Sequence, residues 1–134
     1  MRAAIRPAPA TPEKDGQPQS LKVLLVEDDA LIRMNTAEML RELGHVVMEA
    51  GNGKEAFDIA SSEKVDLLVT DIGLPDISGR DLAIEMKQKK NGLRVILASG
   101  HAAESIDVPD GVSMISKPYG LTDLAKAIEA VTSP

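Results

Sequence analysis

The sequence predicts an α/β fold: a doubly wound sandwich on a five-stranded parallel sheet, with a shortened fourth helix. Two patterns predict it. Short apolar runs recur without clean polar alternation, as strands covered on both faces do, and segments of helical period separate them. There is also no internal repeat and no low-complexity tract after the first twenty residues, which disfavours solenoids and arrays.

Those first twenty residues, MRAAIRPAPATPEKDGQPQS, carry four of the eight prolines and no apolar h-region. They read as a flexible, proline-rich tail rather than a signal peptide or membrane span. The globular domain is then expected over 21–134. Its strands are KVLLV (22–26), HVVMEA (45–50), DLLVT (66–70), RVILAS (94–99) and VSMIS (112–116). In the first helix Ile32, Thr36, Met39, Leu40 and Leu43 recur at helical spacing, and Gly44 follows as a stop. A second helix begins after Gly53, with Ala56, Ile59 and Ala60 facing inward. A third takes Ser78 as its N-cap and buries Leu82, Ala83 and Met86. The segment 100–112, GHAAESIDVPDGV, has room only for a short helical turn before Pro109 and Asp110-Gly111. The last helix carries a stripe of Leu121, Leu124, Ala125, Ile128 and Val131, with Thr122 expected as its cap.

Composition narrows the function. With 134 residues, 43% hydrophobic and 27% charged, the chain suits one globular domain with a single substantial core. A net charge of -6 argues against affinity for nucleic-acid phosphates. Phe57 and Tyr119 are the only aromatic residues, so binding of bases or sugars by stacking is not expected. Cysteine is absent, which removes disulfides, thiolate nucleophiles and cysteine metal sites, and is compatible with the cytoplasmic location expected here.

In a doubly wound sheet, ligands bind beyond the carboxyl ends of the strands, where the strand order reverses. What stands at those ends is therefore informative. The first strand runs into Glu27, Asp28 and Asp29, the third into Asp71, the fourth into Ser99 and the fifth into Lys117. Adjacent acids repel one another, so the stretch at 27–29 asks for a cation, a helix cap or solvent. Asp29 suits the cap, because a helical pattern begins directly behind it. Asp71, Ser99 and Lys117 each have an ordinary structural reading as a loop cap, a turn residue and a solvated charge. Together they suit phosphoryl transfer to a carboxylate. Mg²⁺ prefers oxygen ligands, which Asp28 and Asp71 supply, with Glu27 acting directly or through water. Asp71 can act as nucleophile and form an acyl phosphate, while Lys117 and the Ser99 hydroxyl bind the phosphoryl oxygens.

The stretches VLLVEDDALIR, DLLVTDIGLPDISG, ILASG and ISKPY together resemble the receiver domain of two-component response regulators, over about residues 21–133. The resemblance implies a flavodoxin-like receiver fold. It further implies that Glu27 and Asp28 form a Mg²⁺-binding acid pair, that Asp71 accepts the phosphoryl group, and that Gly73 lends a backbone carbonyl to the metal. Ser99 then stands for the family's switch hydroxyl and Lys117 for its phosphate-sensing lysine, with the Lys117–Pro118 peptide cis. Two features depart from the family pattern. Ser99 and Lys117 are only 18 positions apart, and Met114 stands where many members carry a switch aromatic. Both bear on the output surface rather than on the phosphorylation site.

The expected function is thus a stand-alone phosphorelay module. It would take a phosphoryl group from a sensor histidine kinase or a histidine phosphotransfer protein and signal to a downstream protein by contact, with no nucleic acid and no membrane involved. It would not be an enzyme acting on outside substrates. An aspartate-nucleophile phosphatase needs a second acid in a D-x-D motif, where this chain has Ile72 and Gly73 after Asp71. A flavodoxin-like cofactor binder needs a phosphate-cradling glycine loop after the first strand, where this chain has acids. A contact-only receiver would usually have lost part of the set of acids, hydroxyl and lysine.

Overall fold

The structure, a computed structural model, describes residues 20–100 and 111–132. Residues 101–110, the bulk of the stretch expected to hold the abbreviated fourth helix and including His101, lie outside the described residues, as does the tail before residue 20. Strands β1 (Lys22–Val26), β2 (Val46–Ala50), β3 (Leu67–Asp71), β4 (Arg94–Ser99) and β5 (Val112–Ser116) form one sheet in the order β2-β1-β3-β4-β5, with every neighbouring pair parallel. Helices α1 (Ala30–Glu42), α2 (Gly53–Ser62), α3 (Gly79–Lys89) and α4 (Leu121–Thr132) cover its faces. The expected doubly wound architecture is the one observed. The order reverses at β1, whose two neighbours are β2 and β3, so the crevice at the switch point opens at the carboxyl ends of β1 and β3.

Alternation along the strands builds two cores rather than one. In β1, Val23 and Leu25 point to the side covered by α1 and α4, where they meet Leu40, Leu67, Ile96 and Leu124. Leu24 and Val26 point to the side of α2 and α3, against Ala56, Leu68, Leu82 and Met86. The central strands are therefore apolar on both faces over 23–26, 67–69 and 95–98, which is why these runs show no alternation. Edge strands β2 and β5 are only partly buried, and their composition is correspondingly mixed.

Local chemistry sets the helix ends. Asp29 accepts hydrogen bonds from the Leu31 and Ile32 N–H groups and caps α1, so one of the three adjacent acids serves the backbone. At the other end Gly44 adopts φ +98°, and the His45 and Gly44 N–H groups reach back to the Leu40 and Arg41 carbonyls in a Schellman arrangement. Ser78 caps α3 as expected. Thr122 does not cap α4: it lies inside the helix, and the Asp123 carboxylate accepts the Gly120 N–H at 2.9 Å instead. A side chain one residue into the helix cannot take the Ncap role, whereas an acid in the first turn can reach back to the entering backbone.

The connection from β3 to α3 is tight. A methyl group on Gly79 would collide with the Asp71 carbonyl oxygen, while the Gly79 N–H donates to the Ile72 carbonyl at 2.8 Å. Gly73 is different, because an added Cβ there would lie 3.9 Å from Asp71 Oδ2, an ordinary contact. His45 is buried, and its Nδ1 accepts the Leu21 N–H at 3.1 Å, which requires the neutral ring. Burial holds its pKa below the ordinary value.

Two predictions follow from this packing. Gly79→Ala should destabilise the fold by about 2–3 kcal/mol through overpacking against backbone, whereas Gly73→Ala should stay within about 0.5 kcal/mol, as surface changes usually do; urea unfolding of both variants decides the matter. For His45, the unfolded ring takes up a proton near its ordinary pKa while the folded ring resists. The contribution of His45 to stability is therefore complete above about pH 6.5 and is lost as pH falls toward the depressed folded value. In His45→Asn the side-chain carbonyl keeps the Leu21 hydrogen bond and does not titrate. The urea midpoint of the wild type should fall relative to that variant between pH 7.5 and 5.5; a constant gap would show that the ring does not titrate with unfolding.

Candidate functional site: a charged centre at the carboxyl edge of the sheet

Parallel pairing brings the strand-end residues to one edge. Val26 is in register with Thr70, so Glu27, the next residue after β1, sits level with Asp71 at the end of β3. Ser99 ends β4 in register with Ser116, and the Lys117 N–H donates to the Ser99 carbonyl at 2.8 Å. The Lys117 ammonium lies 2.9 Å from Glu27 Oε1 and 3.1 Å from Asp71 Oδ1. One lysine thus bridges β1 and β3 from beyond β5. The peptide bond between Lys117 and Pro118 is cis.

The three neighbouring acids have separate environments. Glu27 is only 3% exposed; its N–H donates to the Ala50 carbonyl, and its Oε2 accepts the Asp29 N–H at 3.1 Å. Asp28 is exposed at the mouth, and Asp29 turns away to cap α1. Burial pushes the Glu27 carboxyl above its usual pKa, with the Asp71 charge adding to that, while Lys117 and the Asp29 N–H partly oppose it. For Lys117, burial by itself favours the neutral amine, but hydrogen bonds and charge from Glu27 and Asp71 outweigh it and raise its pKa. The lysine is therefore a permanent cation at neutral pH. Oxygen atoms of Glu27, Asp28 and Asp71 lie within 4.8 Å of one another, and this set is the one group of three acids, histidines or cysteines with that proximity among the described residues. An all-carboxylate oxygen donor set fits a hard divalent cation such as Mg²⁺.

All of the predicted site residues except Gly73 take part in this edge through side-chain proximity or strand register; Gly73 lies two residues past Asp71 in the exposed loop. Ser99 is buried at the end of β4. Met114 is half-buried on β5 and packs with the core on the α2 and α3 side.

Four contributors were not foreseen. The Asp76 carboxylate accepts the Gly53 and Lys54 N–H groups at 2.9 and 3.0 Å, which ties the loop after Asp71 to the start of α2. The hydrogen bond from Gly53 is the main reason its pKa lies below the usual range. Asn52 and Glu55 form a capping pair at the same helix end, accepting the Glu55 and Gly51 N–H groups respectively. That pair was visible in the string N-G-K-E. Tyr119, two residues past Lys117, shares a 2.8 Å hydrogen bond with the Thr36 hydroxyl on α1, and burial raises its pKa. Arg33 donates to the Glu27 carbonyl at 2.7 Å. Only tertiary structure reveals the partners of Asp76, Tyr119 and Arg33.

Comparison with known proteins identifies the family. Residues 23–129 match the response regulator receiver domain family. The chain is 40% identical to the transcriptional regulatory protein PdtaR of Mycobacterium tuberculosis over 116 residues, 84% of this chain and 57% of PdtaR, so it spans little more than half of that relative. It is 32% identical to the response regulator receiver protein CpdR of Brucella abortus over 112 residues, 81% of this chain and 93% of CpdR. Among solved structures, a chain in the crystal structure of the complex between histidine kinase ThkA and response regulator protein TrrA superposes with a TM-score of 0.74 at 29% identity, covering 84% of this chain and 99% of that one. TrrA of Thermotoga maritima in complex with Mg²⁺ and BeF gives a TM-score of 0.73 at 28% identity, with coverage of 83% and 98%. With residues 23–129 matched by the family and the strand-end residues gathered at one edge, the chain belongs to the response regulator receiver domain family.

Proposed function

We propose that Asp71 is the phosphoacceptor and that Glu27, Asp28 and Asp71, with the backbone carbonyl of Gly73, would hold Mg²⁺. The observation that carries this reading is the Lys117 ammonium seated between a buried Glu27 and Asp71 while Asp28 faces the open edge. A bound Mg²⁺ would supply positive charge against the phosphoryl oxygens. A carboxylate oxygen of Asp71 attacks phosphorus, the bond from phosphorus to the donor histidine nitrogen breaks, and the freed imidazole takes a proton from solvent. Lys117, already 3.1 Å from Oδ1, is in reach of the oxygens that arrive there, and the Ser99 hydroxyl at the end of β4 serves as a second phosphoryl contact. The chemistry is positioning and charge stabilisation with no outside substrate, so the protein catalyses only its own phosphorylation and dephosphorylation.

The partner this chemistry requires is a phosphohistidine on a sensor kinase or a phosphotransfer protein. The ThkA complex with TrrA offers a precedent in a similar protein. Output passes to a downstream protein by contact, in the cytoplasm. No helix among the described residues is long and apolar enough to cross a membrane, and the overall charge of -6 disfavours nucleic acid.

Intact mass after incubation with a small-molecule acyl phosphate tests the reading. The wild type should gain one phosphoryl group, sensitive to hydroxylamine and dependent on added Mg²⁺. Asp71→Asn should gain none, and Lys117→Met should react about a hundredfold more slowly, the scale of one lost charge-stabilising donor. A folded wild type that binds Mg²⁺ yet never forms the adduct would instead be a contact-only receiver.

A further inference from the structure

Arg33 lies in α1, outside the carboxylate cluster, yet it reaches into its support. One terminal nitrogen of its guanidinium donates to the Glu27 backbone carbonyl at 2.7 Å, and its Nε lies 3.5 Å from Glu49 on β2. Glu49 is held in turn by Arg41 at 3.3 Å. The Arg33 side chain is 25% exposed, so it is a partly buried strut rather than a solvated charge. Each polar group of Glu27 is thereby engaged: N–H with Ala50, carbonyl with Arg33, Oε2 with the Asp29 N–H, and Oε1 with Lys117.

The carbonyl bond has a particular consequence. The Glu27 carbonyl and the Asp28 N–H belong to one planar peptide unit. Fixing that carbonyl fixes the plane from which Asp28 leaves the strand, and so the spacing between the two carboxylates. Without Arg33 the peptide could rotate while both side chains kept their identities.

We propose that Arg33 is a positioning residue for the acid pair, setting the separation of the Glu27 and Asp28 carboxylates through the peptide that joins them. The proposal rests on the reading of that pair as a Mg²⁺ site. Electrostatics alone predicts the opposite sign of effect. A guanidinium near a divalent cation repels it, so removing Arg33 should tighten Mg²⁺ binding if charge were its only contribution. Positioning requires the removal to weaken binding.

Mg²⁺ titration of the full chain, followed by backbone amide NMR shifts, separates the two. Arg33→Met should bind Mg²⁺ about tenfold more weakly than wild type, the low end of what outer supports of metal ligands contribute, with its urea midpoint close to that of wild type. Arg33→Lys, which keeps a donor of similar reach, should recover most of the affinity. Equal or tighter binding by Arg33→Met, with wild type binding normally, overturns the positioning role and leaves the cation site intact. Absence of Mg²⁺ binding by the wild type itself overturns the cation-site reading, and the proposal with it. Should Arg33→Met fail to fold, Arg33→Gln replaces it: weaker binding supports the role, and equal or tighter binding overturns it.

Discussion

One ammonium group holds together three segments that are distant in the chain. Lys117 binds Glu27 and Asp71, and its charge opposes the burial that disfavours the Glu27 anion. Burial presses Glu27 toward its neutral acid, and Asp71 presses in the same direction. Burial presses Lys117 toward the neutral amine, and the two acids reverse it. Lys117 and the buried Glu27 carboxylate thus favour one another's charged form. The sheet makes the arrangement geometrically demanding, since β5 and β3 are separated by β4. Two strand spacings amount to about 10 Å, and the long, flexible stem of lysine allows a cation to cover much of that distance over the end of β4.

The same edge explains how three consecutive acids coexist. Glu27 is spent on the buried charge centre, Asp29 on the first turn of α1, and Asp28 alone is left at the open mouth. Helix α1 stabilises both sides of the site: Arg33 holds the Glu27 carbonyl, and one turn later Thr36 holds Tyr119 beside the Lys117–Pro118 turn. A displacement of α1 would therefore reach the acid pair and the lysine together. On the opposite sheet face, Asp76 performs the matching task by tying the loop after Asp71 to α2.

What could be read from the sequence is what depends on near neighbours. Apolar runs that end in a charged or hydroxyl residue placed Glu27, Asp28, Asp71, Ser99 and Lys117 at one edge, because parallel strands align their carboxyl ends. Asp29 and Ser78 were legible as caps because each stands just before a helical pattern. Thr122 misled for the same reason: its residue type suited a cap, but the helix begins one residue earlier. Gly79, Asp76, Arg33 and the Thr36–Tyr119 pair were not legible. Their roles come from partners 7 to 83 positions away, with the exception of the Arg33 bond to Glu27, which reaches six residues back across the β1–α1 turn. No periodicity encodes such contacts.

Charge counting sets out what the proposed site could accommodate. Glu27, Asp28 and Asp71 carry three negative charges as carboxylates, and Lys117 returns one, so the cluster stands at a net of two negative charges. That residue is what one divalent cation balances. A phosphoryl group on Asp71 would replace a single negative charge with one of about −1.5 to −2, by analogy with other phosphorylated side chains. The balance would then be broken at the carboxylate that Lys117 now holds. Because the lysine is also bound to Glu27, any shift toward new phosphoryl oxygens must weaken a contact that keeps a buried carboxylate charged. Phosphorylation would thus be felt at β1 and β5 at once, through the one side chain that joins them.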